Sequence, residues 1–240
     1  MKGLISLGLA LGLLVLGSGC QENWESFFII DNKRPGDPPE CAVPTAQTAE
    51  GLLGGTMDTS RTYGYVAYLF VENALIARAD QGLPRAESNG IFVEGAYLYY
   101  EPDPQCPGVY PDLEARVSQY IDPGGQATIG IWIIPGSIGR LMAAQVYDDP
   151  TTSAYDPPCG KGFLDVTVTV QFFGITQSGS EMLTQEFDYP ITVCSGCLLY
   201  APPGTDGTCT DTTPAVGDLP CNPGQDDLID YRLFCEDTGP

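Results

Sequence analysis

The sequence has no histidine among its 240 residues, and this absence removes whole classes of site. Serine and cysteine nucleophiles usually depend on a histidine base, so catalytic triads of the ordinary kind are excluded. A zinc site would need histidines or a second close pair of cysteines. Since no other catalytic pattern stands out, we expect a protein that is not an enzyme.

Basic residues are also scarce, with 10 lysines and arginines against 31 acidic residues and a formal charge of −21. A surface of this sign repels the phosphate backbone, so no nucleic-acid partner is expected. Residues 1–19 hold one basic residue and no acidic one, so removing them would leave a formal charge of −22. Such a charge favours solubility and could attract cations or basic proteins.

Long apolar runs are missing as well. The most apolar stretch, residues 4–16, is shorter than the roughly 20 residues that a membrane-spanning helix needs. It follows Lys2 and is succeeded by Gly17, Ser18 and Gly19 before Cys20. This order of a basic residue, an apolar core and small residues predicts a cleaved export signal at residues 1–19.

The segment ending at Cys20 resembles the lipobox of bacterial lipoproteins, although Gly17 stands where a large aliphatic residue is usual. The resemblance implies a diacylglyceryl thioether on the Cys20 sulfur, an acylated amine, and attachment to the membrane through these acyl chains. Gln21 would then permit transfer to the outer membrane. Ordinary secretory cleavage and an uncleaved anchor are the alternatives.

Eight cysteines remain after Cys20, and an even number in an exported chain predicts four disulfides. Eight cysteines allow 105 pairings, so the connectivity stays open. The two in the "CSGC" stretch could also form a redox dithiol or half a zinc site, but an oxidising compartment favours disulfides. We expect Cys194 to bridge to the preceding domain and Cys197 to bond within the C-terminal tail. The eight are Cys41, Cys106, Cys159, Cys194, Cys197, Cys209, Cys221 and Cys235.

Composition divides the rest of the chain into three parts. Residues 20–40 contain "RPGDPPE" and are predicted to be a tether, although the apolar residues 27–30 could lie on the domain or near the membrane. Residues 41–193 are predicted to be all-β, forming an immunoglobulin-like β-sandwich. Residues 194–240 hold five cysteines and few apolar residues, which predicts a disulfide-stapled, loop-rich C-terminal appendage, docked through Leu198, Leu199 and Tyr200.

The clearest strand is residues 164–172, "LDVTVTVQF", where apolar and polar residues alternate. Residues 181–193 are predicted to be its partner, interrupted near Pro190. The "DPGG" at residues 122–125 predicts a tight hairpin turn. Residues 136–145 are the one plausible helical turn, capped by Ser137. Further strands are predicted at residues 63–72, 90–100, 115–121 and 126–134.

Tyr97 and Tyr99 lie on one face of a predicted strand, opposite Leu98 and Tyr100. If that face is wet, it could join Tyr63 and Tyr65 in a patch for a sugar or a protein, because tyrosine combines an apolar ring with a polar tip. The alternative is that these tyrosines cover the core.

Acidic residues in the C-terminal loops are candidate calcium ligands, since hard cations prefer several oxygen ligands on flexible loops. None of these loops matches the twelve-residue calcium loop.

Two adjacent acid pairs could act as catalytic carboxylates only if burial split their pKa values, and we expect both to be solvated turns. The calcium candidates are Asp206, Asp211, Asp226, Asp227 and Asp230, and the pairs are Asp148 with Asp149 and Asp226 with Asp227.

Four short stretches also make the chain similar to a set of uncharacterised cysteine-rich lipoproteins of large-genome Gram-negative bacteria. They are "CAVP" at 41–44, "YLFVENALIARA" at 68–79, "VCSGCL" at 193–198 and "CNPGQDD" at 221–227. The resemblance implies no activity. We therefore expect a lipid-anchored envelope lipoprotein with a non-enzymatic interaction or structural role, whose partner is another envelope protein or a glycan. The alternative is a calcium-dependent or carbohydrate-binding adhesion module.

Overall fold

The computed structural model describes residues 26–77, 88–106, 108–147, 159, 162–205, 209 and 219–235. Within these residues the helix α1 spans Gly136–Val146, and a short 3-10 helix spans Tyr231–Phe234. The strands are β1 (Phe27–Lys33), β2 (Gly51–Leu52), β3 (Gly55–Asp58), β4 (Tyr65–Asn73), β5 (Ile91–Pro102), β6 (Leu113–Ile121), β7 (Gln126–Ile134), β8 (Phe163–Thr176), β9 (Glu181–Leu183), β10 (Phe187–Cys194), β11 (Leu199–Tyr200) and β12 (Ile229–Asp230).

Most of these strands form two sheets that pack face to face. A four-stranded sheet has the order β2-β1-β4-β7, and a six-stranded sheet has the order β3-β10-β8-β5-β6 with β9 also paired to β8. The order β1-β4-β7 opposite β10-β8-β5 corresponds to the ABE and GFC strands of an immunoglobulin-like sandwich. The predicted all-β sandwich is thus confirmed.

The core between the sheets follows from alternation along the strands. In β8 every second side chain is buried, so the predicted two-faced strand is confirmed and extends to Thr176. Each buried aliphatic or aromatic side chain contributes about 1.5–3 kcal/mol relative to exposure. The phenol of Tyr100 crosses to the other sheet and donates a hydrogen bond to the carbonyl of Ile133 at 2.9 Å. The inward residues of β8 include Leu164, Val166, Val168, Val170 and Phe172.

The prediction of a tether over residues 20–40 is wrong for residues 27–33. β1 lies inside that range and pairs with β4, and the side chains of Phe27 and Ile29 belong to the core. Two apolar side chains at alternate positions bury one face of an extended segment, which is more stable than leaving them in water. The sandwich therefore begins at Phe27 rather than at Cys41.

The turn at residues 122–125 forms, but it does not make a hairpin. Gly125 donates its N–H to the Asp122 carbonyl at 2.8 Å, and Gly124 has a φ of +67°, a conformation that glycine adopts without strain. The strands on either side, β6 and β7, belong to different sheets. The turn is a corner that carries the chain across the sandwich, a distinction that local sequence does not encode.

The predicted helix is confirmed as α1, but its cap is not Ser137. Pro135 is the last extended residue, and its carbonyl accepts the N–H of Ile138 at 2.9 Å. Ser137 therefore already lies in the first turn.

A Cβ added to Gly139 would lie 1.7 Å from the Tyr63 carbonyl oxygen, so the missing side chain lets α1 pack directly on the backbone before β4.

The break expected near Pro190 lies earlier in the chain. Pro190 is inside β10, immediately before the parallel pairing with β3 begins at Ile191, so it is paired on one side only. The break falls at Thr184, between β9 and β10. The Thr184 hydroxyl accepts the Phe172 N–H at 2.9 Å in place of a strand carbonyl.

All eight cysteines after Cys20 form disulfides, as predicted: Cys41–Cys221, Cys106–Cys159, Cys194–Cys197 and Cys209–Cys235. The expectation that Cys194 and Cys197 have distant partners is wrong. Their loop folds back because the buried Asp58 carboxylate accepts the N–H groups of Gly196 at 2.7 Å and Leu198 at 3.0 Å. The Cα atoms of the two cysteines consequently lie 6.0 Å apart.

The described C-terminal residues pack closely on the sandwich. Leu198 is buried, as expected, whereas Leu199 is half-buried and Tyr200 is exposed. β11 pairs with β12 in a separate two-stranded sheet. The disulfide from Cys41 to Cys221 joins the loop between β1 and β2 to the C-terminal segment. This part is therefore anchored by polar contacts and a disulfide as well as by apolar burial.

Candidate ligand-binding face

The side chains of the six-stranded sheet that point away from the core form an outer face with exposed aromatic rings. Tyr97 and Tyr99 belong to this outer face, whereas Leu98 and Tyr100 point into the core. Tyr97 and Tyr99 therefore do not cover the core, and their role in binding a ligand stays a prediction. Burial raises the pKa of the Tyr100 phenol, which lies on the inner side.

Tyr97 is stacked on a second ring of the outer face. The ring centroids of Tyr97 and Phe173 are 4.7 Å apart, with an angle of 29° between the planes. Phe92 and Tyr120 form a further pair at 4.8 Å. Aromatic pairs attract each other beyond the area that they bury. The outer face therefore carries two ring pairs, one stacked and one tilted.

A β-bulge in β5 places Phe92 on the same face as Tyr97. Between Val93 and Gly95 the pairing advances two residues in β5 but only one in β8, which inserts one residue into the alternation of β5. Without the bulge, Phe92 would point into the core, because it lies an odd number of residues from Tyr97. Strict alternation therefore could not have predicted that Phe92 is part of the face.

Beside the stacked pair lies a cleft of about 440 Å³, which we call the aromatic cleft. Its volume falls within the range of small-molecule sites. The Arg116 guanidinium lies 5.8 Å from the Phe173 ring centroid and forms an ion pair with Glu114 at 2.7 Å, so its charge is neutralised locally. The lining residues are Tyr97, Phe173, Glu94, Glu181, Met182 and Leu183, with Gly174 and Ile175.

The same rows of outward side chains continue into a second depression, a groove of about 650 Å³ that we call the acidic groove. Glu101, Asp103 and Asp165 line it, and Asp165 accepts a hydrogen bond from the Thr192 hydroxyl at 2.7 Å. Tyr99 lies on β5 between Tyr97 and Glu101. Along this strand the outer face therefore changes from aromatic to acidic.

Tyr63 and Tyr65 do not join this surface, contrary to the predicted tyrosine patch. Tyr65 is fully buried on the four-stranded sheet, and Tyr63 lies just before β4 at one end of the sandwich. Adjacent candidate strands can belong to opposite sheets, and the sequence does not show which strands share a sheet. The face is instead completed by Phe92, Tyr120 and Phe173, which the sequence reasoning missed.

The calcium candidates within the described residues have separate partners. Asp226 accepts hydrogen bonds from the Thr56 N–H at 2.8 Å and the Tyr65 phenol at 2.7 Å. Asp227 forms an ion pair with Arg34, and Asp230 is bound by Arg232, which lowers the pKa of its carboxyl. In the described ranges, no three acids or cysteines come together as metal ligands. Asp206 and Asp211 lie outside those ranges.

Asp226 is not the solvated turn residue that we expected. Burial raises the pKa of its carboxyl above the ordinary range, and the hydrogen bonds from Thr56 and Tyr65 offset this only in part. Burial also raises the pKa of Tyr65, whose phenol lies 3.1 Å from that of Tyr189. Asp226 therefore links the C-terminal segment to the sandwich interior. The other pair, Asp148 and Asp149, lies outside the described residues.

A scan of the chain against protein-family models gives no match, and no curated protein matches it significantly. In the part of the chain that the structure describes, no helix combines the length and the apolar character needed to cross a bilayer. The four disulfides indicate folding in an oxidising, exported compartment.

Proposed function

We propose that this protein is an exported, non-enzymatic interaction module of the cell envelope, anchored to the outer membrane through acyl chains on Cys20. We further propose that it recognises a glycan with the outer face of the six-stranded sheet. The observation that carries the recognition part is the stacked pair of Tyr97 and Phe173 beside an open cleft.

The anchoring proposal is supported by the oxidising compartment and by the lipobox-like segment that ends at Cys20. Six residues separate Cys20 from Phe27, where β1 begins. An extended chain covers at most about 3.5 Å per residue, so the sandwich would lie within about 25 Å of the acylated cysteine. Lipid attachment would therefore hold the domain close to the membrane surface.

The shape and chemistry of the aromatic cleft favour a glycan over a protein partner. The cleft has a volume of about 440 Å³, which matches the roughly 300–1,000 Å³ of small-ligand sites. Ring faces pack on the C–H faces of a sugar, and carboxylates such as Glu94 and Glu181 accept hydrogen bonds from sugar hydroxyls. The excess of acids disfavours an anionic ligand, so we propose a neutral or amino sugar.

The anchoring part is tested with Cys20→Ser. We expect this variant to leave the membrane fraction and to appear as a soluble exported protein, because acyl chains supply about 0.8 kcal/mol per buried methylene. Fractionation of cells that express each form would measure the change. If the variant still partitions fully with membranes, the anchor is not on Cys20.

The recognition part is tested by screening immobilised neutral and amino-sugar oligosaccharides against the oxidised protein. We expect Tyr97→Ala to weaken binding about three- to ten-fold, since a stacked ring contributes about 0.5–1.5 kcal/mol beyond burial. Tyr200→Ala is the matched control, because Tyr200 is also an exposed tyrosine but does not line the aromatic cleft. Equal effects of the two substitutions would contradict a site at Tyr97.

A further inference from the structure

A second concave site lies at the end of the sandwich where α1 packs, well away from the aromatic cleft. This end cleft has a volume of about 500 Å³. It lies between α1, the loop after β3 and the loop after β10. The residues that matter for its chemistry are Ser60, Tyr63, Arg140, Ala144, Tyr147 and Ser195.

Arg140 is the one basic residue among the described residues that line the end cleft. Among the other described basic side chains, those of Lys33, Arg34, Arg116 and Arg232 form ion pairs with acids, whereas the Arg61 guanidinium lies over the Phe234 ring. Arg140 is exposed and forms no ion pair or hydrogen bond with a described residue; its guanidinium lies 5.6 Å from the Tyr63 ring centroid. In a chain with 31 acidic and 10 basic residues, an arginine that lines a cleft and pairs with none of the described acids is a specific feature.

Two of the three segments around the end cleft, the loop after β3 and the loop after β10, are held by one buried carboxylate. Asp58 is fully buried and accepts hydrogen bonds from the Ser60 N–H at 2.9 Å and the Ser60 hydroxyl at 2.7 Å. The same carboxylate holds the N–H of Gly196 at 2.7 Å, next to Ser195 on the opposite wall. Because the same group holds both loops, these two segments need little ordering when a ligand binds.

The groups that face the end cleft define a ligand class. The Ser60 hydroxyl has donated its hydrogen to Asp58, so its oxygen is left to accept one from a ligand hydroxyl. The Tyr63 and Tyr147 side chains line the cleft, are 44% and 58% exposed, and add apolar ring surface for a sugar. Arg140 presents a fork of donors that matches a carboxylate.

We propose that the end cleft binds a glycan residue that carries a single carboxylate, such as a hexuronic acid. A polyanionic glycan is disfavoured, because the full chain has a formal charge of −21 and repels extended negative charge. This inference concerns a different surface from the proposed function and a ligand of the opposite charge preference. It stands or fails independently of that function.

The end cleft is also well placed for an external ligand. β1 begins at Phe27, which pairs with Asn73 at one end of β4, whereas Tyr65 and Tyr63 lie at the other end. Nine residues of strand separate the two ends by roughly 25 Å. If the chain is anchored at Cys20, as proposed above, the end cleft lies on the side that faces away from the membrane.

The test compares two probes that differ only at C6. Methyl β-glucuronide carries a carboxylate there, and methyl β-glucoside carries a hydroxymethyl group. We expect the oxidised protein, titrated by NMR, to bind the glucuronide about ten-fold more tightly than the glucoside. The reason is that only the glucuronide can accept a charge-assisted hydrogen bond from Arg140 through its carboxylate. Acetate at the same concentrations shows whether an adventitious ion only is bound.

Arg140→Gln should bring the affinities for the two probes to the same value without unfolding the protein, because the side chain is exposed. Arg116→Gln, at an exposed arginine paired with Glu114, should leave the preference unchanged. Tyr147→Ala should weaken both probes and keep their ratio. Four results would overturn the proposal: no binding of either sugar, equal binding of both, a preference that persists in Arg140→Gln, or acetate binding as tight as the glucuronide.

Discussion

The carboxylate of Asp226 accepts a hydrogen bond of 2.7 Å from the phenol of Tyr65, although 161 residues separate them in the sequence. Tyr65 is fully buried, and its phenol also lies 3.1 Å from that of Tyr189 on the facing sheet. One polar chain thus connects the C-terminal segment to both sheets. Such networks stabilise a fold when each member is satisfied and are costly when one partner is removed.

Tyr65→Phe should destabilise the protein by about 2 kcal/mol, since hydrogen bonds to charged groups contribute about 1.5–3 kcal/mol. Chemical denaturation of the oxidised protein would measure the loss. Tyr97→Phe is the matched control, because its phenol makes no hydrogen bond within the described residues and should change stability by less than about 0.5 kcal/mol. Similar losses for the two variants would show that the bond to Asp226 does not stabilise the fold.

Asp226 should also give the protein a pH-dependent stability of defined sign. Burial raises the pKa of this carboxyl from its ordinary value of 3.8, so the folded state binds the proton more tightly than the unfolded state. The stabilising contribution is therefore fully present below the unfolded-state pKa and is lost as the pH rises through the folded-state pKa.

Asp226→Asn removes this titration. Between the unfolded-state pKa and the folded-state pKa of Asp226, the free energy of unfolding of the wild type should fall relative to that of Asp226→Asn as the pH rises. Denaturation curves at a series of pH values from about 3.5 to 8 would show it. Asp37→Asn removes an exposed carboxylate and serves as the control for net charge. If the difference in unfolding free energy between the wild type and Asp226→Asn does not change with pH, the titration of Asp226 does not contribute to stability.

The four disulfides should contribute unequally to stability. Cys41–Cys221 spans a sequence separation of 180, and Cys194–Cys197 one of 3. In the chain-entropy account, these loops correspond to about 5 and about 2 kcal/mol. Replacing both cysteines of each pair by alanine should therefore lower the unfolding free energy much more for the long loop. Equal losses, measured by denaturation, would mean that loop entropy does not dominate here.

Gly139→Ala should displace α1, because the new Cβ would lie 1.7 Å from the Tyr63 carbonyl oxygen. We expect a loss of about 1–3 kcal/mol, the usual cost of overpacking. A Cβ on Gly136 of the same helix meets no atom within 4 Å, so Gly136→Ala should be nearly neutral. Thermal unfolding of both variants is the measurement, and a neutral Gly139→Ala would contradict the close packing.

Local patterns in the sequence predicted much of the fold. The alternation that identified β8 and the turn signal at residues 122–125 both depend on neighbouring residues alone, and both are present. Short strands such as β2 and β3 carry too few residues for a periodic signal and were missed. The apolar residues of β1 were noticed, but the adjoining proline-rich stretch suggested a tether.

Of the candidate site, the sequence predicted that Tyr97 and Tyr99 share a face, because alternation fixes that relation. It did not predict the stacking of Phe173 on Tyr97, which requires β8 to pair with β5 in a particular register. Nor did it predict the end cleft, whose residues Ser60, Arg140 and Ser195 come from three separate parts of the chain.

The sequence by itself determined three things: the alternation of apolar and polar residues along the strands, the even number of cysteines after Cys20, and the strong negative charge. Each is a property of single residues or of close neighbours in the chain. The tertiary structure decided which strands share a sheet, which cysteines pair and which acids are buried. These outcomes depend on contacts between residues far apart in the chain, such as Tyr65 with Asp226. The energy of such contacts is set by the packing of the whole sandwich.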